Sequence, residues 1–360
     1  MLSSSILTSL YNFLYPPNFV PSTIFDLQAR LKEVEEEEIY HMHLFITGAT
    51  GYIGSVCAEK AIAEGHTVRG LSRTEAGDAK LTALGVIPVR GDLTTFSLLA
   101  QESATADVVL HCAFNHDINS GAFEENVRID CEAINALVDG LKGSGSGKHL
   151  IVSSACGGRV PDPDREEVDE TAAVDASFPL TARRVSDAYA VAKNGDGGRV
   201  SLLRIAPLVY GRGGSTFIPM LIARAHAARE ALYIGDGSQK MTALHVDDAA
   251  TLYLALAKHS ASTGGDFNAS GSTTTTAKEV AEAVGTLLNV PVRSVTLEEA
   301  AKEENLGTLL SLIMGSQYMC RASSKKAREE LGWKPSGVDL PTDIAHGSYV
   351  EYAAKLAQNL

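Results

Sequence analysis

The stretch MHLFITGATGYIGSVCAEKAIAEGHTVRGLSR, residues 42–73, limits the possible folds more than any other part of the chain. A short apolar strand over Leu44–Thr47 runs into Gly48, Gly51 and Gly54. A helix over Tyr52–Ala63 and a second strand over Thr67–Leu71 follow. Three spaced glycines alone mean little; a strand, three glycines, a helix and a strand within about 30 residues are specific. The reason is steric. One glycine permits the tight turn, one lets a pyrophosphate approach the backbone, and one lets the helix lie close on the sheet. The helix start then offers free N–H groups and the positive end of its dipole to phosphate.

The end of the second strand selects the nucleotide. A carboxylate there would hydrogen-bond the ribose 2′-OH of NAD, but the strand ends Gly70-Leu71-Ser72-Arg73. Arg73 can pair with a 2′-phosphate, so NADP(H) is expected ahead of NAD(H). Strand and helix patterns keep alternating: GVIPVRGDL (85–93), ADVVLHCAF (106–114), a helix over 123–143, KHLIVSSA (148–155) and GRVSLLRIAPLVYG (198–211). Asp92 and Leu93 fall where an adenine edge would lie. This order predicts an α/β fold with a doubly wound parallel sheet and ligands outside its carboxyl edge. The expected division is a Rossmann domain over 42–211 and a smaller substrate lobe over 212–360, partly interleaved with the core.

Residues 1–41 stand outside that frame. Their apolar start has no basic flank and is cut by Pro16-Pro17, which argues against a signal peptide. They read as an accessory helix or as an over-long start ahead of Met42. A net charge of −13 with scattered basic residues excludes a phosphate-backbone partner. With no run of 18 apolar residues, no membrane span is expected. The five cysteines (57, 112, 131, 156, 320) lack disulfide or metal spacing, as in a reducing, cytoplasmic setting. The apolar run Leu306–Met314 suits either a greasy small-molecule substrate or a buried helix of a homodimer.

From Met42 onward the chain resembles the extended short-chain dehydrogenase/reductases, the epimerase/dehydratase-like group. The resemblance is carried by TGATGYIG (47–54), GDL (91–93), LRIAPLVYG (203–211), IGDGSQKMTALHVDDAA (234–250) and SSKKAREELGWKP (323–335). CAFNHDI (112–118) narrows it to an atypical branch without the usual Tyr-x-x-x-Lys pair. The resemblance implies cofactor contacts from Gly48, Thr50, Gly51, Tyr52, Ile53, Gly54, Arg73, Asp92, Leu93, Ala113 and Pro207.

SDAYAVAK (186–193) spells a Tyr-x-x-x-Lys pair, but in the wrong place. With Ser177 as N-cap and Pro179 in the first turn, the helix runs over 178–193. Tyr189 is then roughly 15 Å down the axis, on an apolar stripe with Val185, Ala188 and Ala192. The family's Lys position falls at Arg183, which stays protonated and could anchor the nicotinamide ribose or a substrate anion. Ser154 takes the place of the family's Ser and could polarise a substrate oxygen, with Ser153 as the register alternative. His116 and Asp117 follow the fourth strand; His116 is the proton-transfer candidate and Asp117 a substrate contact. Tyr210 could reach substrate or simply pack. Three readings fit: an NADP(H)-dependent oxidoreductase, a cofactor-retaining epimerase or dehydratase, and a non-catalytic NADP(H)-binding sensor.

Overall fold

The computed structural model describes residues 41–115, 123–142, 147–164, 166–178, 181–260, 264–302 and 321–358. The N-terminal extension up to residue 40, His116, Asp117, Pro179 and the Leu306–Met314 run lie outside them. Seven parallel strands form the central sheet. These are β1 (His43–Thr47), β2 (Thr67–Ser72), β3 (Ile87–Arg90), β4 (Val108–His111), β5 (His149–Ala155), β6 (Arg199–Ile205) and β7 (Asp266–Ala269), in the spatial order β7-β6-β5-β4-β1-β2-β3. The order reverses between β1 and β4, and that crevice is where a doubly wound sheet takes its ligand.

Alternation along each strand sends side chains to two cores. Leu44, Ile46, Val108, Leu110 and Ile151 pack on one face, with Val56, Ala58 and Ala61 of α1 (Tyr52–Ala63). Phe45, Val109, Leu150 and Val152 face the other way, against Leu99 of α3 (Phe96–Thr105) and Ala133, Ile134 and Leu137 of α4 (Phe123–Leu141). Between these helices, α2 (Glu75–Ala83) links β2 to β3, and α5 (Arg183–Ala192) leads into β6. Strands buried on both faces read as continuous apolar runs, which is why they were recognisable.

The expected sixth strand is two strands. β6 stops at Ile205, and Leu208–Tyr210 joins a separate three-stranded sheet with Lys240–His245 and Ser272–Thr276. Pro207, without an N–H, stands at the break. A boundary at residue 211 also divides the core too simply. After α6 (Phe217–Ala228), α7 (Val246–Lys258) returns to pack on α1, and β7 completes the sheet edge. A smaller core holds Ile218, Ile222, Val280, Val284, Leu340 and Tyr349 around α6 and α8 (Ala277–Leu288).

The chain's return is clasped at α7. The buried Asp248 carboxylate accepts from the Ser336 N–H at 2.9 Å and the Gly337 N–H at 3.0 Å, and the Trp333 indole donates to the Asp248 carbonyl at 3.1 Å. Asp248→Ala leaves two backbone donors without their acceptor, and the expected loss is about 3 kcal/mol. Urea unfolding followed by the fluorescence of Trp333, the sole tryptophan, measures it. A change below about 0.5 kcal/mol, the level of an ordinary surface substitution, would contradict the clasp.

Candidate functional site

The turn between β1 and α1 is built without side chains. Gly48 has φ +71°, and a Cβ there would lie 2.9 Å from the Ala113 nitrogen. A Cβ on Gly54 would lie 2.3 Å from the Gly48 carbonyl oxygen. Gly51, the N-cap, donates to that same oxygen at 2.8 Å and offers no side chain to cap the helix. The first-turn N–H groups of Tyr52, Ile53 and Gly54 are therefore open toward the carboxyl edge of the sheet. Tyr52 contributes only its backbone there. Its ring packs under Gly214 and its hydroxyl donates to the Gly211 carbonyl at 2.6 Å, so the side chain is a strut. Burial first, then the charges near it, pushes that phenol far above its ordinary pKa. Ile53 packs on the core.

At the end of β2, Arg73 is exposed and has no hydrogen bond or ion pair among the described residues. Lys80 on α2 crosses to the Thr50 carbonyl at 2.7 Å. The Asp92 carboxylate accepts from the Thr94 hydroxyl at 2.6 Å and its N–H at 2.8 Å, and these bonds hold its pKa low. Leu93 packs on the second core, and Ala113 donates its N–H to the Thr47 hydroxyl at 3.3 Å. Pro207 sits beside Gly157, 3.9 Å from where its Cβ would be.

The helix expected from residue 178 begins at Arg183. Ser177 is not its cap: its N–H and hydroxyl both donate to Asp175, closing a turn ahead of the helix. The stripe expected over Val185, Ala188 and Ala192 is exposed, with Val185 58% accessible. The buried face holds Arg183, Arg184, Ser186, Asp187 and Ala190. Tyr189 is half-buried and donates to the Asn135 side chain of α4 at 3.2 Å, with the Lys193 ammonium 5.1 Å from its ring. With the helix starting at Arg183, Tyr189 lies six residues in, roughly 9 Å along the axis and not the ~15 Å expected.

The inward face of α5 meets the ends of β4 and β5. The Arg183 guanidinium donates to Asp130 Oδ2 at 2.8 Å and to the Ser153 carbonyl at 2.9 Å, and lies 4.2 Å from the centre of the Phe114 ring. Asp130, fully buried on α4, also bonds His111 Nε2 at 3.0 Å, and His111 Nδ1 bonds the Thr47 hydroxyl at 2.8 Å. Burial alone would raise the Asp130 pKa; the His111 and Arg183 contacts outweigh it and hold the pKa below the usual range. The register of the serines is resolved as well. Ser153 turns to the α7 side, its hydroxyl 2.5 Å from that of the buried Tyr253. Ser154 turns to α5, donates to Asp187 Oδ2 at 2.8 Å and accepts from Arg184 Nη1 at 3.2 Å. Its one proton is committed to Asp187, so as arranged it does not donate to a substrate oxygen. Arg184 also pairs with Asp187 at 2.7 Å.

Tyr210, expected near substrate, is buried edge-on to His245, and its hydroxyl donates to the Val338 carbonyl at 2.7 Å. It braces the lobe. His111 and Asp130 were missed from the sequence, although both carry a signal. Asp130 interrupts the core-facing spacing Val127, Ile134, Leu137 of α4, and His111 ends a strand of four buried residues.

This assembly is a glycine turn at the switch point of a parallel sheet, with open helix N–H groups above a polar floor. The family model described as "NAD dependent epimerase/dehydratase family" matches residues 44–270. The chain belongs to that family. A relative of uncharacterised function from Schizosaccharomyces pombe is 35% identical over 309 residues, 86% of this chain and 100% of its own. A UDP-glucose 4-epimerase from Corynebacterium glutamicum is 24% identical, covering 84% and 94%. Among solved structures, UDP-glucuronic acid 4-epimerase from Bacillus cereus, in complex with UDP-glucuronic acid and NAD, has the same fold. It aligns at TM-score 0.67 and 17% identity over 86% of this chain and 99% of its own. Family membership fits the glycine turn, and the helix start is shaped for a dinucleotide. Among the described residues no helix is long and apolar enough to cross a membrane.

Two substitutions test the geometry. Gly54→Ala forces a Cβ against the Gly48 carbonyl, and a cost of about 3 kcal/mol is expected together with loss of dinucleotide binding. Unchanged binding would show that the turn relaxes. Tyr189→Phe removes one half-buried hydrogen bond, about 1 kcal/mol, and turnover should stay within about twofold. A drop of several hundredfold would place the phenol in the chemistry.

Proposed function

We propose that the chain is an NADP(H)-dependent oxidoreductase moving a hydride between the nicotinamide and a carbonyl or carbinol carbon of a small molecule. The observation that carries the cofactor half is the end of β2. The strand itself ends without a carboxylate, Asp78 beside Ser72 is already paired with Arg90, Arg73 makes no hydrogen bond or ion pair among the described residues, and Lys80 crosses from α2 to the glycine turn. A 2′-phosphate would find the charges of Arg73 and Lys80 there. Family membership supports dinucleotide chemistry in general and leaves the 2′-phosphate to these residues.

Bound at the glycine turn, the cofactor supplies the carbon that gives or takes hydride. The chain's own part is orientation and charge. Arg183 uses two of its N–H groups on Asp130 and the Ser153 carbonyl. The other three of a guanidinium's five donors are available to a ribose hydroxyl or a substrate oxygen. Arg184 beside it is buried, paired with Asp187 and bonded to the Ser154 hydroxyl and the Ala155 carbonyl. Ser154 acts in this reading as the link between Arg184 and Asp187. Proton transfer is assigned to His116, which follows β4, with Asp117 as a substrate contact. A guanidinium remains protonated and cannot take that role. An epimerase that regenerates its cofactor is the second reading, favoured by the full-length likeness to UDP-glucose 4-epimerase from Corynebacterium glutamicum. Net consumption of NADPH with substrate turnover separates the two.

Arg73→Ala tests the cofactor assignment. NADPH affinity should fall about 10- to 100-fold, the worth of one or two charge-assisted hydrogen bonds, while NADH affinity changes less than about threefold. Fluorescence titration of both nucleotides measures it, and equal losses for the two would sink the assignment.

A further inference from the structure

The row Thr47–His111–Asp130–Arg183 carries one donor and one acceptor in every link. Thr47 Oγ1 accepts the Ala113 N–H at 3.3 Å, so its own proton is free to go to His111 Nδ1. His111 Nε2 meets Asp130 Oδ1, and Asp130 Oδ2 accepts from Arg183. All of it is buried: Thr47 and Asp130 are 0% exposed, His111 1% and Arg183 9%.

Neither Asp130 nor His111 faces the crevice. Each touches the site only through another residue, Asp130 through Arg183 and His111 through both Asp130 and Thr47, the residue immediately before Gly48. An arginine side chain has four rotatable bonds, and a donor aimed by packing alone is poorly fixed. Here the guanidinium plane is held on three sides: by the carboxylate, by the Ser153 carbonyl and by the Phe114 ring face. Of these, the carboxylate is the single charged partner within hydrogen-bond distance, since Asp187 stands 4.0 Å away.

We propose that Asp130, oriented by His111, is a positioning residue that aims Arg183 at the nicotinamide half of the bound dinucleotide and ties that aim to the glycine turn through Thr47. The proposal rests on Arg183 being the anchor of that half. Its signature is a loss confined to the nicotinamide end, because nothing in the row reaches Arg73, Lys80 or Asp92 at the adenosine end.

The test compares two probes by fluorescence titration or calorimetry: NADPH, and adenosine 2′,5′-bisphosphate, which lacks the nicotinamide ribose. Asp130→Asn should weaken NADPH about 10-fold or more and leave the bisphosphate within about twofold. Asp130→Glu keeps the charge but displaces the guanidinium by a methylene, and should weaken NADPH about 3- to 10-fold. Asp130→Asn combined with Arg183→Gln should bind NADPH no worse than Arg183→Gln alone, since the first change acts only through the second. Equal losses for both probes in all variants would mean a structural role and overturn the proposal, as would additive losses in the double variant. If Arg183→Gln weakens NADPH but both Asp130 variants bind normally, the positioning idea fails and the anchor stands. If Arg183→Gln itself leaves NADPH affinity unchanged, the anchor reading fails. Should Asp130→Asn not fold, the double variant and Asp130→Glu decide the matter, because neither leaves a buried cation without a counter-charge.

Discussion

Asp130 carries a charge where no water reaches it, and the carboxyl edge of the sheet is arranged around that fact. A lone buried carboxylate costs several kcal/mol. Here it is met by a guanidinium from α5 and an imidazole from β4, which in turn leans on the hydroxyl that ends β1. One side chain on α4 therefore ties three neighbouring elements together at the point where the strand order reverses. Removing either neighbour would leave a charge or a buried donor unmet, so the row resists piecemeal change. That resistance sets the rotation of α5. To bring Arg183 to Asp130, the helix must also turn Arg184, Ser186 and Asp187 inward, and it leaves Val185 and Val191 in solvent.

The same fact explains what the amino-acid sequence made legible and what it hid. The glycine turn was readable because its rule is steric and local. Gly48 takes a positive φ, and a Cβ on Gly54 would strike the Gly48 carbonyl, both within the turn itself. The central strands were readable because burial on both faces turns them into apolar runs. The start and face of α5 were not. Periodicity assumes that apolar residues point inward, and Val185, Ala188 and Ala192 do make a helical stripe. Four polar residues on the opposite face find partners on α4, on β5 and in the Arg184–Asp187 pair, and take the buried side instead. Ser177 looked like an N-cap and has the chemistry of one, but Asp175 uses its N–H and hydroxyl in a turn six residues before the helix. The break at Pro207 went unread, because a strand that changes sheets keeps its β pattern across the change. Which hydroxyls face substrate was equally hidden, because it depends on long-range partners: Tyr52 finds Gly211 and Tyr210 finds Val338, 159 and 128 residues away.

The pair at Tyr189 and Lys193 shows that a spacing alone does not define a site. The spacing i, i+4 puts both side chains on one helix face wherever it occurs. What gives such a pair chemistry is the end of the helix on which it stands. Here that face looks onto Asn135 of α4, five residues on from Asp130, and the lysine rests on the tyrosine ring. At the end that faces the crevice, the helix carries two arginines in succession.

Arginines at that end change the division of labour. A tyrosine paired with a lysine can both polarise an oxygen and move a proton, because its pKa can be drawn toward neutrality. A guanidinium can polarise and orient but keeps its protons at any physiological pH. The field from Arg183 and Arg184 is therefore constant, and Ser154 cannot relay a proton out of it while its own is held by Asp187. In the proposed reaction, orientation and proton transfer would fall to separate elements, the first to α5 and the second to His116 after β4. A site built this way would owe its pH dependence to that second group alone, and its geometry to the buried row under α5.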